Sequence, residues 1–396
     1  MTLLERAENA VGCAHCRSLS VLTGTCLQCG RPVCHRCLSP ATCEHPRPWS
    51  VQLPHNAKLL RVDGGGRLGL VRFRRGQRAI VDLATGRRRT IPLALSRRRI
   101  LPHLAEPERL VRLSYAASGK LRGVGIIPLG HWSQAAAIPC KPDPSPRDLL
   151  LCDSEQLALV IHDDEQVEIV NLAQLRRVGT VADPGQAVLA ADACELMDLV
   201  ALGTFGRVTF FRLSDQQFLG ALPHDGGDVV WLGVAGGRVV VLTDGGLLEA
   251  RQMDTRHRPT SWERVPLDRG VVQRFAAARE RRERERLSAS VATGLLGGAL
   301  GVLAFATFLV ADRVVEEPPV ASLTPDGHLL ALQVKRNEVQ VLQLETGAEA
   351  VRLPLARSFP VVFLRFVRGG RVLITADASG RVRFWPRVGG RVLISA

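Results

Sequence analysis

The sequence predicts a mainly β chain: a seven-bladed propeller of five blades, a helical membrane insertion and two further blades, preceded by a small zinc-binding module. Three observations carry this reading. A strand-ending phrase returns every 41 to 46 residues. Seven of the ten cysteines crowd between Cys13 and Cys43. Leu287 to Ala311 is a run of 25 residues without a charge. The expected units are residues 1–48 (zinc module), 56–269 (blades one to five), 270–315 (a charged helix and the apolar run) and 316–396 (blades six and seven).

Composition bounds the partners. Apolar residues make up 46% of 396, enough to bury a large core. The formal charge of +14 invites a nucleic-acid or anionic-lipid reading. Against nucleic acid, the arginines are spread along the chain and metal-bound thiolates would lower the true charge. Their densest clusters, Arg87-Arg88-Arg89 and Arg97-Arg98-Arg99, fall in expected loops. The N-terminal stretch carries Glu5 and Glu8 and no apolar run, so it does not read as a secretory signal. Paired cysteines in such a chain point to metal rather than disulfides.

The module comes first. Its pattern is Cys13-x2-Cys16-x9-Cys26-x2-Cys29-x4-Cys34-x2-Cys37-x5-Cys43-x-His45. These eight donors saturate two tetrahedral zinc ions and leave no open coordination position, so the expected sites are structural. So short a segment needs such staples to fold. His15 and His35 lie inside Cys-x2-Cys pairs and read as spacers. The run from Cys26 to Cys37 resembles cross-brace treble-clef fingers of the FYVE type. That resemblance implies Cys13, Cys16, Cys34 and Cys37 on one ion, with Cys26, Cys29, Cys43 and His45 on the other. The rival pairing is sequential, Cys13, Cys16, Cys26 and Cys29, then Cys34, Cys37, Cys43 and His45. Leu22-Thr23-Gly24-Thr25 stands where that family carries its basic phosphoinositide-binding run, and Cys43-Glu44-His45 replaces its last Cys-x2-Cys. Neither phosphoinositide binding nor ubiquitin-ligase activity is therefore carried over.

The repeats follow from about residue 56. The phrase is an alternating strand ending in leucine, as in Ile80-Val81-Asp82-Leu83, Ile126-Ile127-Pro128-Leu129, Ile169-Val170-Asn171-Leu172 and Phe210-Phe211-Arg212-Leu213. It returns at Val341-Leu342-Gln343-Leu344 and Phe384-Trp385-Pro386-Arg387. Such a period fits four strands to a blade. Leu323 to Leu332 resembles the "SPDG" hairpin of WD40-like repeats, and Ala376 to Trp385 resembles their turn into the tryptophan-bearing strand. Gly236-Gly237 and Gly369-Gly370 open hairpins of the same type. Strands Val229 to Arg251 supply a fifth blade with its anchor near Met253, which brings the count to seven.

The insertion separates blades five and six. As a helix, 25 residues span about 37 Å, against a hydrocarbon core of roughly 30 Å. Excess arginine before the run, from Arg274 to Arg286, places blades one to five and the module on the cytoplasmic side. Gly294 and Gly298 have the four-residue spacing that lets helices self-associate. The Gly297-Gly298 pair offers a break point for a re-entrant turn. A single crossing would put the last two blades across the membrane from the first five; a dip would keep one ring.

The sequence holds no Gly-x-Ser-x-Gly, no Gly-x4-Gly-Lys and no His-Glu-x2-His. Asp163-Asp164-Glu165 reads as solvated turn surface, and His131 and Trp132 as turn and packing residues. Cys140, Cys152 and Cys194 read as inert, partly buried thiols. The functional expectation is a membrane-tethered, zinc-containing scaffold for protein partners, without enzymatic activity. The alternatives are a propeller binding nucleic acid or an anionic surface through arginine-rich loops, and a ubiquitin-ligase-like adaptor.

Overall fold

The computed structural model describes residues 22–25, 32–34, 49–271 and 321–392, apart from short stretches within those spans. Among them the chain forms six sheets arranged as a ring, and a separate hairpin of Leu22–Thr25 with Pro32–Cys34. Within each sheet the strands run a, b, c, d from the ring's centre outward, joined antiparallel by tight turns. Sheet 1 comprises Lys58–Val62, Leu68–Arg72, Arg78–Asp82 and Arg88–Thr90. Sheet 2 comprises His103–Ala105, Arg109–Tyr115, Leu121–Pro128 and Ala136–Pro139. Sheet 3 comprises Pro146–Leu151, Leu157–His162, Gln166–Asn171 and Arg176–Ala182.

Sheet 4 has seven strands, from Ala190–Cys194 to Glu263–Val265. Here the expected count of seven separate blades is corrected to six sheets. The cause is one 18-residue strand, Phe218–Ala235. Its first part pairs with Phe205–Arg212 as an outer strand, and its second part pairs with Arg238–Thr243 as an inner one. Two four-strand sets thus share a strand and read as one sheet. Sheet 5 runs from Ala321–Leu323 to Ala348–Pro354.

Sheet 6 closes the ring. Its strands Val361–Val367, Val372–Asp377 and Arg381–Val388 are joined by Trp49–Gln52 from the other end of the chain. The sequence reading leaves Trp49–Gln52 in the passage between module and propeller. The structure makes it strand d of the last sheet, with Val51 opposite Val382 and Trp49 opposite Phe384. Gln52 Nε2 donates to Ser379 O at 2.9 Å and Leu53 N to Gly380 O at 2.9 Å, which fixes the register. A second difference is at Arg88–Thr90, expected as loop and found as strand d of sheet 1.

The strands form where the sequence alternates or is uniformly apolar. Leu157–His162 and Val372–Asp377 are buried at every position, as central strands packed on both faces must be. Seven apolar clusters lie around the ring, one at each junction and one between the two halves of sheet 4. Each fully buried Leu, Ile or Val in them contributes roughly 1.5–3 kcal/mol. Aspartates pin the turns: Asp63 Oδ1 accepts from Arg67 N and Leu68 N, and Asp377 Oδ1 from Ser379 N and Arg381 N. Trp385 Nε1 donates to Thr375 Oγ1 at 2.9 Å inside sheet 6. Gly236, at φ 57°, has the Asp326 carbonyl of sheet 5 where a Cβ would stand, so only glycine fits that hairpin.

Residues 272–320, and with them the apolar run 287–311, lie outside the described residues. Among the described residues no helix is long and apolar enough to cross a membrane. Val265 and Val271, before that stretch, pack in one cluster with Leu323, Leu330 and Leu332, after it. Both flanks therefore belong to neighbouring sheets of one ring.

Leu53 is 1% exposed and packs in the cluster between sheets 6 and 1, although it comes from the passage into the propeller. Leu53→Ala is expected to cost about 3 kcal/mol in denaturant unfolding. A change of only a few tenths would mean that Trp49–Gln52 does not close the ring.

Candidate interaction surfaces

The inner strands present polar side chains to the centre, and these reach from sheet to sheet. His103 Nε2 donates to Leu149 O at 2.8 Å, from sheet 2 to sheet 3. Asp192 Oδ2 accepts from Val234 N at 2.8 Å, between the halves of sheet 4. Ser322 Oγ accepts from Phe366 N at 2.9 Å, from sheet 5 to sheet 6. Arg365 Nη1 donates to Val62 O at 2.6 Å, from sheet 6 to sheet 1. Arg365 Nη2 also faces Glu155 Oε1 of sheet 3 at 3.4 Å, and Glu155 packs against Gly64. The centre is thus spanned by side chains committed to the backbone of the next sheet. Burial, aided by the Arg61 charge, depresses the His103 pKa to about 3, so its imidazole is neutral. Burial raises Asp148, against a hydrogen bond from Leu149 N and the charge of Arg61.

A second polar cluster lies between sheets 2 and 3. Glu168 on strand c of sheet 3 is fully buried and faces His162 Nε2 at 3.0 Å. Its carboxylate also accepts from Lys141 N at 3.1 Å and pairs with Arg177 Nε at 3.0 Å. Burial acts to raise its pKa, but the hydrogen bonds from His162 and Lys141 and the Arg177 charge outweigh it and hold it below the usual value. The same surroundings, burial first and Glu168 second, push the Cys140 thiol up to about 12, so Cys140 is an inert thiol. Cys152 is buried and Cys194 half-buried, neither of them in a disulfide. Glu165 differs from its expected solvated role. It pairs with Arg147 at 3.0 Å and accepts from Val188 N at 2.7 Å, tying sheet 3 to sheet 4, while Asp163 and Asp164 are exposed.

The ring has two faces. The b–c turns and the connections between sheets share one, here called upper; the a–b and c–d turns share the other. On the lower face three apolar side chains stand in water: Leu196 in the a–b turn of sheet 4 at 98% exposure, Phe218 after its first c–d turn at 59%, and Leu175 in the c–d turn of sheet 3 at 52%. Phe218 stacks edge-on against Phe211, centroids 5.8 Å apart. The Gln216 side chain lies against Gly179, bringing the c–d turn of sheet 4 onto the outer strand of sheet 3. Arg212 with Asp215, 2.9 Å apart, and Ser214 with Asp198, 2.8 Å apart, are polar pairs on the same turns.

Of the eight expected zinc ligands only Cys34 falls in a described element, at the end of the hairpin, opposite Leu22. Cys13, Cys16, Cys26, Cys29, Cys37, Cys43 and His45 lie outside the described residues. Among the described residues no three His, Cys, Asp or Glu side chains converge as a metal site. Trp132 and Met253 are also outside, and His131 is exposed beside the end of sheet 2. Sequence reading missed the lower-face residues and the Glu168 cluster. Leu175 and Leu196 carried a usable signal, each an apolar residue inside a turn.

No protein-family model matches the chain, and no curated protein matches it. Solved structures do. One is the β-propeller domain of Cps50 (Swd1) from Myceliophteria thermophila, 12% identical, with a TM-score of 0.50 over 86% of this chain and 100% of that one. This likeness shows the fold: the chain is a β-propeller, as the closed ring of antiparallel sheets also shows.

Removing the Glu168 charge leaves His162, Lys141 and Arg177 to share one neutral amide oxygen in place of two carboxylate oxygens. Glu168→Gln is expected to cost about 3 kcal/mol at pH 7. Because the folded-state pKa lies below the ordinary 4.5, the carboxylate's contribution is complete above that pH and is lost as pH falls through the folded value. Urea unfolding at stepped pH should show wild type and variant converging below about pH 4.5. A pH-independent gap would contradict this.

Proposed function

We propose that this chain is a membrane-tethered, zinc-containing scaffold that holds a protein partner on the lower face of its propeller. The observation that carries the reading is the exposed trio Leu175, Leu196 and Phe218, all on the lower-face turns of two adjacent sheets, with charged and polar side chains on the same turns. Large apolar side chains exposed together on one face mark a surface that a protein partner covers. The reading assigns no catalytic step.

The zinc module is part of the proposal. The hairpin Leu22–Thr25 and Pro32–Cys34 leaves Cys26 and Cys29 in its connection. A Cys-x2-Cys pair in a hairpin connection supports the assignment of two thiolates to one ion. The remaining donors, Cys13, Cys16, Cys34, Cys37, Cys43 and His45, complete two closed tetrahedral sets in either pairing. Bound there, the ions would replace the core that so small a unit lacks.

The tether is residues 287–311, on the strength of their length and lack of charge. The shared core of Val265, Val271 and Leu323 favours a re-entrant dip over a single crossing. A straight crossing would strand one flank on the far side, and the charged stretch Asp312 to Glu317 is too short and too polar to return through hydrocarbon. The dip turns at Gly297-Gly298 and leaves the whole ring cytoplasmic. Gly294 and Gly298 remain available for pairing with a second copy.

Two measurements test the reading. In-cell cross-linking should capture a protein partner with the wild-type chain and lose it with Leu175→Asp/Leu196→Asp, while the unfolding temperature stays the same; undiminished cross-linking of the variant would sink the surface. Metal analysis of the purified chain should give two zinc ions, and fewer than one would remove the module from the account.

A further inference from the structure

Six large apolar side chains are exposed among the described residues, and all six stand on the two faces of the ring rather than on its outer wall. Leu175, Leu196 and Phe218 are the lower three. The upper three are Leu189, Phe205 and Phe359. Leu189 ends the connection from sheet 3 to sheet 4, and its N–H donates to Gly203 O at 2.8 Å. That bond sets it beside the b–c turn of sheet 4, where Phe205 stands. Phe359 lies on the connection from sheet 5 to sheet 6. It precedes Pro360, whose carbonyl accepts from Ala378 N at 2.9 Å in the b–c turn of sheet 6.

Phe205 is the least expected of the three. Thr204 N and Thr204 Oγ1 both donate to Arg207 O, at 3.0 and 3.1 Å, which leaves Phe205 and Gly206 as the tip of a two-residue turn. Gly206 supplies the left-handed conformation there, at φ 69°. Turn tips in water favour Gly, Asn, Asp and Ser. Here the first tip residue is a phenylalanine at 65% exposure.

Their place in the ring separates these residues from scattered surface side chains. Residues 272–320 join the second half of sheet 4 to sheet 5 at the same upper face. Around the ring, Leu189 and Phe205 come before that exit and Phe359 after it. The exit thus lies inside the arc they mark. Among the described residues, sheets 1 and 2 add no large exposed apolar side chain to that face. Nine residues, 312–320, connect the apolar run to Ala321, and fully extended they reach about 30 Å. Whatever receives the run is held within that distance of the upper face at the exit.

We propose that the arc of Leu189, Phe205 and Phe359 docks on the bilayer surface, with these side chains in the interfacial layer beside the tether. The inference rests on the tether proposed above and adds which part of the ring meets lipid. Apolar side chains at a membrane surface enter the boundary between headgroups and acyl chains to a depth of about 5–10 Å, within reach of a protruding turn tip. Asp163 and Asp164, exposed in the b–c turn of sheet 3, bound the contact, because carboxylates stay in water. The ring then sits tilted, with sheets 4 to 6 towards the membrane.

The test uses the full chain, purified in detergent and reconstituted into phosphatidylcholine vesicles. A photoreactive residue replaces one exposed side chain at a time: Phe205→benzoylphenylalanine and Phe359→benzoylphenylalanine on the upper face, Leu196→benzoylphenylalanine on the lower. All three positions are exposed, so the unfolding temperature should match wild type. After illumination, mass spectrometry should find phosphatidylcholine adducts at 205 and 359 and none at 196.

A chain that floats with the vesicles but lacks lipid adducts at 205 or 359, or gives equal yields on both faces, loses the docking and keeps the tether. Chain-to-chain adducts at 205 in place of lipid ones would assign the face to a second copy and overturn the docking as well. A chain that fails to float with the vesicles removes the tether, and this inference with it.

Discussion

The fold depends on one antiparallel pairing between the ends of the propeller chain. Trp49–Gln52 lies beside Arg381–Val388, and without it the edge of that strand from Arg381 to Phe384 would be bare. An open edge offers unpaired N–H and C=O groups to any other chain. With the strand in place, sheet 6 packs on sheet 1 through Leu53, Leu59, Val81, Ile374 and Phe384, and every junction of the ring acquires a core. The polar contacts at the centre then have somewhere to go. Arg365 can reach Val62 only because the last sheet sits next to the first.

Closure also governs how the rest of the chain is attached. Residues 272–320 leave and return between sheets 4 and 5, which share a core, so their flanks cannot be pulled to opposite sides of a bilayer without breaking that junction. The cysteine-rich residues enter through strand d of sheet 6, at Trp49, which lies at the lower end of that strand. Residues 272–320 and residues 1–48 therefore join the ring at opposite faces. In the proposed arrangement the lower face, with Leu196 and Phe218, looks away from the membrane and towards the module.

Much of this was legible in the sequence because strands with one strict period announce themselves. The leucines at 83, 129, 172 and 213 all lie at the ends of c strands or just after them, and the hairpins at Gly236-Gly237 and Gly369-Gly370 stand where alternation placed them. The sheet count was not legible, because nothing in Phe218–Ala235 marks whether its Pro223-to-Asp228 stretch breaks the strand or carries it through. Trp49–Gln52 was missed because four residues carry no period, and their partner is more than 300 residues away. Polar clusters were missed for the same reason: Glu168 and His162 lie six apart in sequence, but Lys141 and Arg177 join them only through the sheet.

The closed ring can be tested by cutting it. A site-specific protease sequence placed between residues 271 and 321 would sever the chain at its insertion. If Trp49–Gln52 closes the ring, the two pieces stay together as one particle on a native sizing column in detergent and separate only in denaturant. Elution of residues 321–396 as a free fragment under native conditions would contradict the account.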